Sequence, residues 1–399
     1  MDLAGLGDYQ VEGFTLAERD RRWQTVRTLM AEAGIDVLIV PTEDDSRYLT
    51  QMAFDIGPAI VAPDGPVTAL TSRGRVGSAA IAWTPDIRVV SRRWIAGIVE
   101  RLEELEADRK IIGIVGLDPT VGEPDGRFNY QTLVTLREVF SHARWVGATG
   151  LMEEARFIKS PEEIHALERA AAVSDAALIA ACAHLARGAS DREIAARAVQ
   201  AAIEAGGDLT TTIEVALRGW TDVGASSPIP IGRTAGEDST LVVRAEGRYL
   251  GYRSRGVQMA AVAPPPPSWM DGATACADAW YRAFDRVRSD RTIREVQAAG
   301  EAASAGGIRT GVVIRGQGIG DDFPGPGSVR ARDDPRLGRP LAPGACFSIT
   351  ARAQWRDRLG PHLVRWGDTV VVSAAGPRRL GSRDVRIFIG PRPTESQSC

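Results

Sequence analysis

The side chains able to do chemistry in this chain are few and widely spaced. Its four histidines are His142, His165, His184 and His362, and its four cysteines are Cys182, Cys276, Cys346 and Cys399. A base or nucleophile must lie within hydrogen-bond reach of its partners, and no Ser-His-Asp or Cys-His arrangement assembles from these spacings. The cysteines form no CxxC pair, so neither a zinc module nor a disulfide framework is spelled out. They read as reduced, packed thiols, with Cys346 on a core strand. No P-loop, HExxH or strand-linked dinucleotide fingerprint occurs. What remains is a glycine-rich turn, Gly316-Gln-Gly-Ile-Gly320, followed by the acids Asp321 and Asp322. Glu246 alternates with Arg244 on one strand and so shares its face. His362 is the histidine nearest the final strands, and hence the imidazole available there for proton transfer.

These groups must be positioned by alternating helices and strands. Thr15 is a good N-cap for a helix over 16–33, which Gly34 stops. An apolar run over 35–40, closed by Pro41, reads as a buried strand. Strands over 59–62, 67–70 and 87–90, a helix over 94–107, a strand over 110–115 and a helix over 130–140 complete a small α/β domain ending near residue 150. Ser160-Pro-Glu-Glu163 then writes a capping box with proline at the first helical position. That helix runs to about Ala186, and a second, capped by Ser190, to about Ala205. Strands follow over 210–217, 241–246 and 249–261. Pro264 to Pro267 are expected to exclude both helix and central strand. Helices near 269–287 and 293–305 precede strands near Val312, Cys346 and Thr369, and the last eight residues read as a frayed tail.

At 399 residues the chain is too long for one compact core and suits two domains. With 44% apolar and 25% charged residues it is an ordinary globular sequence, which excludes wholesale disorder, collagen-like repeats and a membrane bundle. The net charge of −3, with basic residues interspersed among acidic ones, gives no argument for nucleic acid or an anionic membrane as partner. The first residues lack a basic stretch followed by an apolar run, and no apolar stretch approaches the ~20 residues of a spanning helix. A soluble, cytoplasmic protein is expected. Of 48 basic residues only Lys110 and Lys159 are lysine, which leaves little scope for lysine chemistry.

Five stretches in order resemble the creatinase/aminopeptidase P/prolidase family. Glu154-Ala-Arg-Phe-Ile-Lys-Ser-Pro-Glu-Glu163 looks like that family's interdomain segment. Gly251-Tyr252 looks like the Gly-Tyr of a metal-binding hairpin, and Gly316-Gln-Gly-Ile-Gly320 like Gly-His-Gly-Ile-Gly. Leu341-Ala-Pro-Gly-Ala-Cys-Phe-Ser-Ile-Thr350 and Val364-Arg-Trp-Gly-Asp-Thr-Val370 look like the two final ligand strands. The resemblance implies an α/β N-terminal domain, residues 1–152, and an α+β pita-bread domain, residues 153–399. It also implies a homodimer.

The same resemblance implies two divalent metals held by two Asp, one His and two Glu. The matching positions here are Arg244, Arg255, Gln317, Thr350 and Gly367, which suit no hard cation. The family's second catalytic histidine falls near Pro324, and its upstream histidine in Ala225-Ser-Ser227. Creatinase, a metal-free relative, uses a histidine base and glutamates, and this chain keeps neither. The expected pocket therefore holds no metal or other cofactor. Two guanidinium groups replace the metal-binding carboxylates, and their planar forks suit a carboxylate or phosphate.

Two readings follow. In the first, a metal-independent enzyme hydrolyses or eliminates at a C–N bond of a small carboxylate-bearing substrate. Arg244, Arg255 and Arg365 would anchor the anion, Gln317 and Thr350 would donate hydrogen bonds, and Tyr252, Trp220 and Ser227 would contact the ligand. Glu246, His362 and Asp322 are the candidate acid–base groups. In the second, the arginines pair with nearby acids, and a catalytically inactive pseudo-peptidase serves as a binding or scaffold protein.

Overall fold

The computed structural model describes residues 13–52, 56–72, 82–90, 93–119, 125–223, 229–303, 307–320, 322–324 and 334–389. The chain divides into two units, Met1–Phe157 and Ile158–Cys399. The expected frayed tail lies outside the described residues.

In the first unit, α1 (Leu16–Glu32) starts where the Thr15 side chain accepts from the Glu18 amide. It is followed by β1 (Val37–Val40), α2 (Glu43–Thr50), β2 (Ala59–Val61), β3 (Thr68–Ser72) and β4 (Ile87–Val90). Then come α3 (Trp94–Glu104), β5 (Ile111–Ile114), α4 (Tyr130–Val139), β6 (Arg144–Gly147) and α5 (Thr149–Phe157). The sheet runs β4-β3-β2-β1-β5-β6, with β1, β5 and β6 mutually parallel and β2 antiparallel to β1. Val37, Ile39, Ile112, Ile114 and Leu136 pack its core. Helix α2 and strand β6 carry weak sequence signals, because acidic Glu43-Asp-Asp45 and half-exposed Arg144-Trp-Val-Gly147 show no clear apolar period.

The second unit opens with α6 (Pro161–Ala183), whose Ser160 capping box forms as expected, and α7 (Asp191–Glu204), with a second box at Ser190. Strands β7 (Thr212–Gly219), β8 (Ser239–Tyr249) and β9 (Tyr252–Ala261) follow, then α8 (Pro267–Phe284), α9 (Ile293–Gly300), β10 (Ala302–Ala303) and β11 (Arg309–Gly316). The long hairpin β12 (Cys346–Asp357) and β13 (Gly360–Ser373) precedes β14 (Gly376–Arg379) and β15 (Phe388–Ile389). Pro267 does not exclude the helix: it is the first residue of α8, where its missing N–H is no loss.

The sheet order is β10-β11-β12-β13-β9-β8-β7. Helices cover one face. Leu241, Val243, Ala245 and Ala260 pack there against Ala177, Leu178 and Ile194 of α6 and α7. On the same side Trp280 of α8 donates to the Ile349 carbonyl, and a Cβ on Gly272 would lie 2.2 Å from the Trp355 ring. Strand alternation leaves the next residues along each strand on the opposite face, helix-free among the described residues except where Trp269 at the start of α8 reaches it.

Candidate functional site

One row of paired residues crosses that helix-free face: Val313, Thr350, Gly367, Val257, Arg244 and Glu214. Alternation from this row places Arg218, Glu246, Arg253, Arg255, Arg315, Arg352 and Arg365 on the same face. The register thus puts Arg244, Arg255, Thr350, Gly367 and Arg365 on one face of the sheet, although Arg255 and Arg365 line different clefts.

Arg244 and Arg255 are both paired with acids, the arrangement of the second reading. Arg244 donates to Glu214 at 2.9 Å, and Arg255 donates to Glu246, its cross-strand partner. Arg248 also lies 3.5 Å from Glu246. Glu214 escaped sequence analysis because it sits one strand beyond the matched motifs, visible only through β7–β8 pairing.

The uncompensated charge lies elsewhere. Arg365 has no carboxylate partner among the described residues, and burial together with the charges of Arg244, Arg218 and Arg352 pushes it down to about 10. Arg218 is buried, and its Nη1 makes a long 3.4 Å contact with the Asp222 carbonyl. Burial, with the charges of Arg244 and Arg233, lowers it too, against the attraction of Asp222. Arg218, Arg253, Arg315 and Arg352 were missed from sequence. For Arg253 and Arg352 the signal was present: each stands two residues from a matched position and so repeats its face.

Two clefts open on this face. The first, a narrow notch, is lined by Arg218, Trp220, Asp222, Val242, Met259, Trp269 and Arg365 among others. The second is lined by Glu246, Arg253, Arg255, Arg315, Gln317 and Asp322 among others. Trp220 meets Trp269 edge-on at 5.2 Å, giving the first cleft an apolar wall. Gln317 is buried and donates to the Gly316 carbonyl at 2.7 Å, while its Oε1 has no partner among the described residues. Such an orphaned acceptor calls for a donor from bound water or ligand.

The other expected residues are placed differently. His362 is buried, with Nε2 2.8 Å from Asp357 Oδ1, Nδ1 3.1 Å from the Trp220 carbonyl, and its ring stacked on Trp355. Both nitrogens therefore face acceptors, and His362 ties the tip of the β12–β13 hairpin to the Trp220 carbonyl. Asp322 accepts from Lys159 Nζ at 2.6 Å, both side chains 1% exposed. Tyr252 points to the helix side: fully buried, it donates to Glu163 at 2.7 Å and does not join the cluster. Ser227 lies outside the described residues. The thiols are inert packing groups: burial pushes Cys182, Cys276 and Cys346 up to about 12.

Comparison with known proteins decides the family. The creatinase/prolidase N-terminal domain matches residues 22–158, and metallopeptidase family M24 matches residues 165–374. The chain belongs to the M24 family. Similar solved structures include an Xaa-Pro dipeptidase from Bacillus anthracis, at 19% identity and TM-score 0.74, covering 93% of this chain and 99% of that one. Dipeptidase PepE from Mycobacterium ulcerans is 20% identical at TM-score 0.72, covering 96% and 100%. Aminopeptidase PepP from Pseudomonas aeruginosa is 16% identical at TM-score 0.72, covering 93% and 96%. No curated protein matches the sequence. The creatinase N-terminal domain plus pita-bread architecture is thereby shown.

A metallopeptidase family implies metal, and this M24 chain does not fit it. The row that would hold the ions presents Arg244, Gly367 and Thr350, with guanidinium charges from Arg255 and Arg365 on the same face. Cations are repelled there, and the nearest carboxylates, Glu214 and Glu246, are already engaged by arginine. Among the described residues no three His, Cys, Asp or Glu side chains are grouped to bind a metal. None of the described helices is long and apolar enough to cross a membrane.

Proposed function

We propose that this M24 chain binds a small carboxylate-bearing molecule on the helix-free face of its pita-bread unit, without metal. The observation that carries the reading is Arg365, a half-buried guanidinium facing other guanidiniums with no carboxylate partner among the described residues. An incoming anion would relieve that repulsion, and the arginine fork would receive it bidentately.

A binding role has more support than catalysis, because the acid–base candidates are committed. His362 meets two acceptors, Asp322 is paired with Lys159, and Glu246 with Arg255. A catalytic version, hydrolysis or elimination at a C–N bond, has one observation in its favour. Glu246 lines the second cleft beside Arg253 and Arg315, where it could meet a substrate. Homodimerisation and a cytoplasmic location belong to the same proposal; light scattering checks the first and cell fractionation the second.

The deciding experiment joins elemental analysis of the purified protein with a thermal-shift screen of small anions. The expected result is no stoichiometric Mn, Zn, Fe or Co, and melting raised by carboxylates. Stoichiometric metal, or melting indifferent to every anion, would sink the reading.

A further inference from the structure

Three separate elements meet at one imidazole beside the first cleft. His362, on β13 next to the cleft residue Leu363, has a fully buried side chain. Its Nδ1 lies 3.1 Å from the carbonyl of Trp220, just past the end of β7. Its Nε2 lies 2.8 Å from Asp357 Oδ1, and Asp357 in turn accepts from Ser268 Oγ on α8 at 2.9 Å. The ring stacks on Trp355 at 4.9 Å. Among the described residues Asp357 is the only charged side chain in contact with the imidazole; Arg218, Asp222 and Arg365 line the cleft without bonding to it. Trp220 and Trp269 form the cleft's indole wall. The ring that holds Trp220 thus also reaches, through Asp357, the start of the helix carrying Trp269.

A carbonyl and a carboxylate can only accept. A neutral imidazole has one N–H, so both contacts are hydrogen bonds only when the ring is an imidazolium. Asp357 offsets the burial of that charge. When the proton leaves, the N–H that stays is held better by the carboxylate than by the carbonyl. Nδ1 then sets a lone pair against the Trp220 oxygen, and attraction turns to repulsion.

We infer that His362 is a positioning residue for the first cleft: its imidazolium pins Trp220, and loss of that proton releases the indole wall and weakens ligand binding. For the ligand this rests on the anion-binding reading above; the contact itself does not. A wall ordered before the ligand arrives spares it the cost of ordering one.

The test uses the full chain and two variants whose folding is checked by circular dichroism melts. In His362→Asn the amide nitrogen stands near the place of Nδ1 and donates to Trp220 at every pH. His362→Phe keeps the stack on Trp355 and has no donor. The first readout needs no ligand. The Trp220 indole N–H signal in NMR, assigned with Trp220→Phe, should shift across about pH 5 to 9 in step with the His362 ring, and stay still in both variants. The second is calorimetry with benzoate. Wild-type affinity should fall about two- to tenfold as pH rises through that range, the worth of one hydrogen bond. His362→Asn should hold the low-pH affinity throughout, and His362→Phe the high-pH affinity. A Trp220 signal blind to the His362 ring, or a pH profile of binding that survives in both variants, overturns the inference while leaving anion binding in place. Benzoate that binds at no pH removes the anion reading, and the NMR titration of the wild type then decides the clamp by itself, as it also does if neither variant folds.

Discussion

Lys159 Nζ meets Asp322 Oδ2 at 2.6 Å behind the glycine turn, with neither side chain reaching solvent. A buried pair of this kind adds little net stability over apolar residues of the same size, yet removal of one partner strands the other charge. Asp322→Asn should therefore lower unfolding free energy by about 3–5 kcal/mol, whereas Lys159→Met with Asp322→Leu should recover most of the loss. Urea titration of both proteins measures this. A mild effect of the single substitution would mean that Asp322 is not tied to Lys159.

Arg365 makes a second prediction, with its sign fixed by linkage. Its proton is held less tightly in the folded chain, near 10, than at the ordinary 12.5. The charged group thus opposes folding below about pH 10, and the opposition fades as pH rises from 10 toward 12.5. Arg365→Met should accordingly raise stability at pH 7 by about 1–2 kcal/mol after allowance for solvent screening. The same variant should lose its thermal response to carboxylates. Denaturation at pH 7, with and without ligand, reads both effects.

Charge at the second cleft can be tuned through the Arg255–Glu246 pair. Glu246→Gln removes a negative charge beside Arg253 and Arg315, so it should tighten carboxylate binding severalfold and steepen its salt dependence. Arg255→Gln should weaken binding. Calorimetry at two salt concentrations checks the pair. Any C–N cleavage by the wild type that survives Glu246→Gln would remove Glu246 as its base.

The hairpin clamp has an acid signature. Its hydrogen bond to His362, aided by Ser268 and the Leu359 amide, holds the Asp357 carboxyl at about 2, below the ordinary 3.8. A depressed carboxylate stabilises the fold above its unfolded value, so that contribution disappears as pH falls from about 4 to 2. His362→Gln should flatten this part of the acid-unfolding curve. Unchanged acid sensitivity in the variant would contradict the clamp.

Elements of regular period were legible in the sequence. Ser160, Ser190 and Thr15 announced their helices, and the family resemblance implied that Arg244, Arg255, Thr350 and Arg365 share a face. What pairs with them was not, because salt bridges join strands distant in sequence. Glu214 reaches Arg244 across 30 positions, and Trp220 reaches His362 across 142. Tyr252 was ambiguous for the same reason. A hairpin-start tyrosine fits either face, and only the Glu163 carboxylate on α6 decides which one.

The crowded contact between Thr350 and Gly367 has an evolutionary meaning. A Cβ at 367 would sit 2.7 Å from Thr350 Oγ1 and 3.0 Å from the Ile349 carbonyl, so the two sites cannot change independently. A carboxylate placed at either position would also share its face with the guanidinium groups of Arg352 and Arg365. Each single step back toward a metal centre first builds another ion pair.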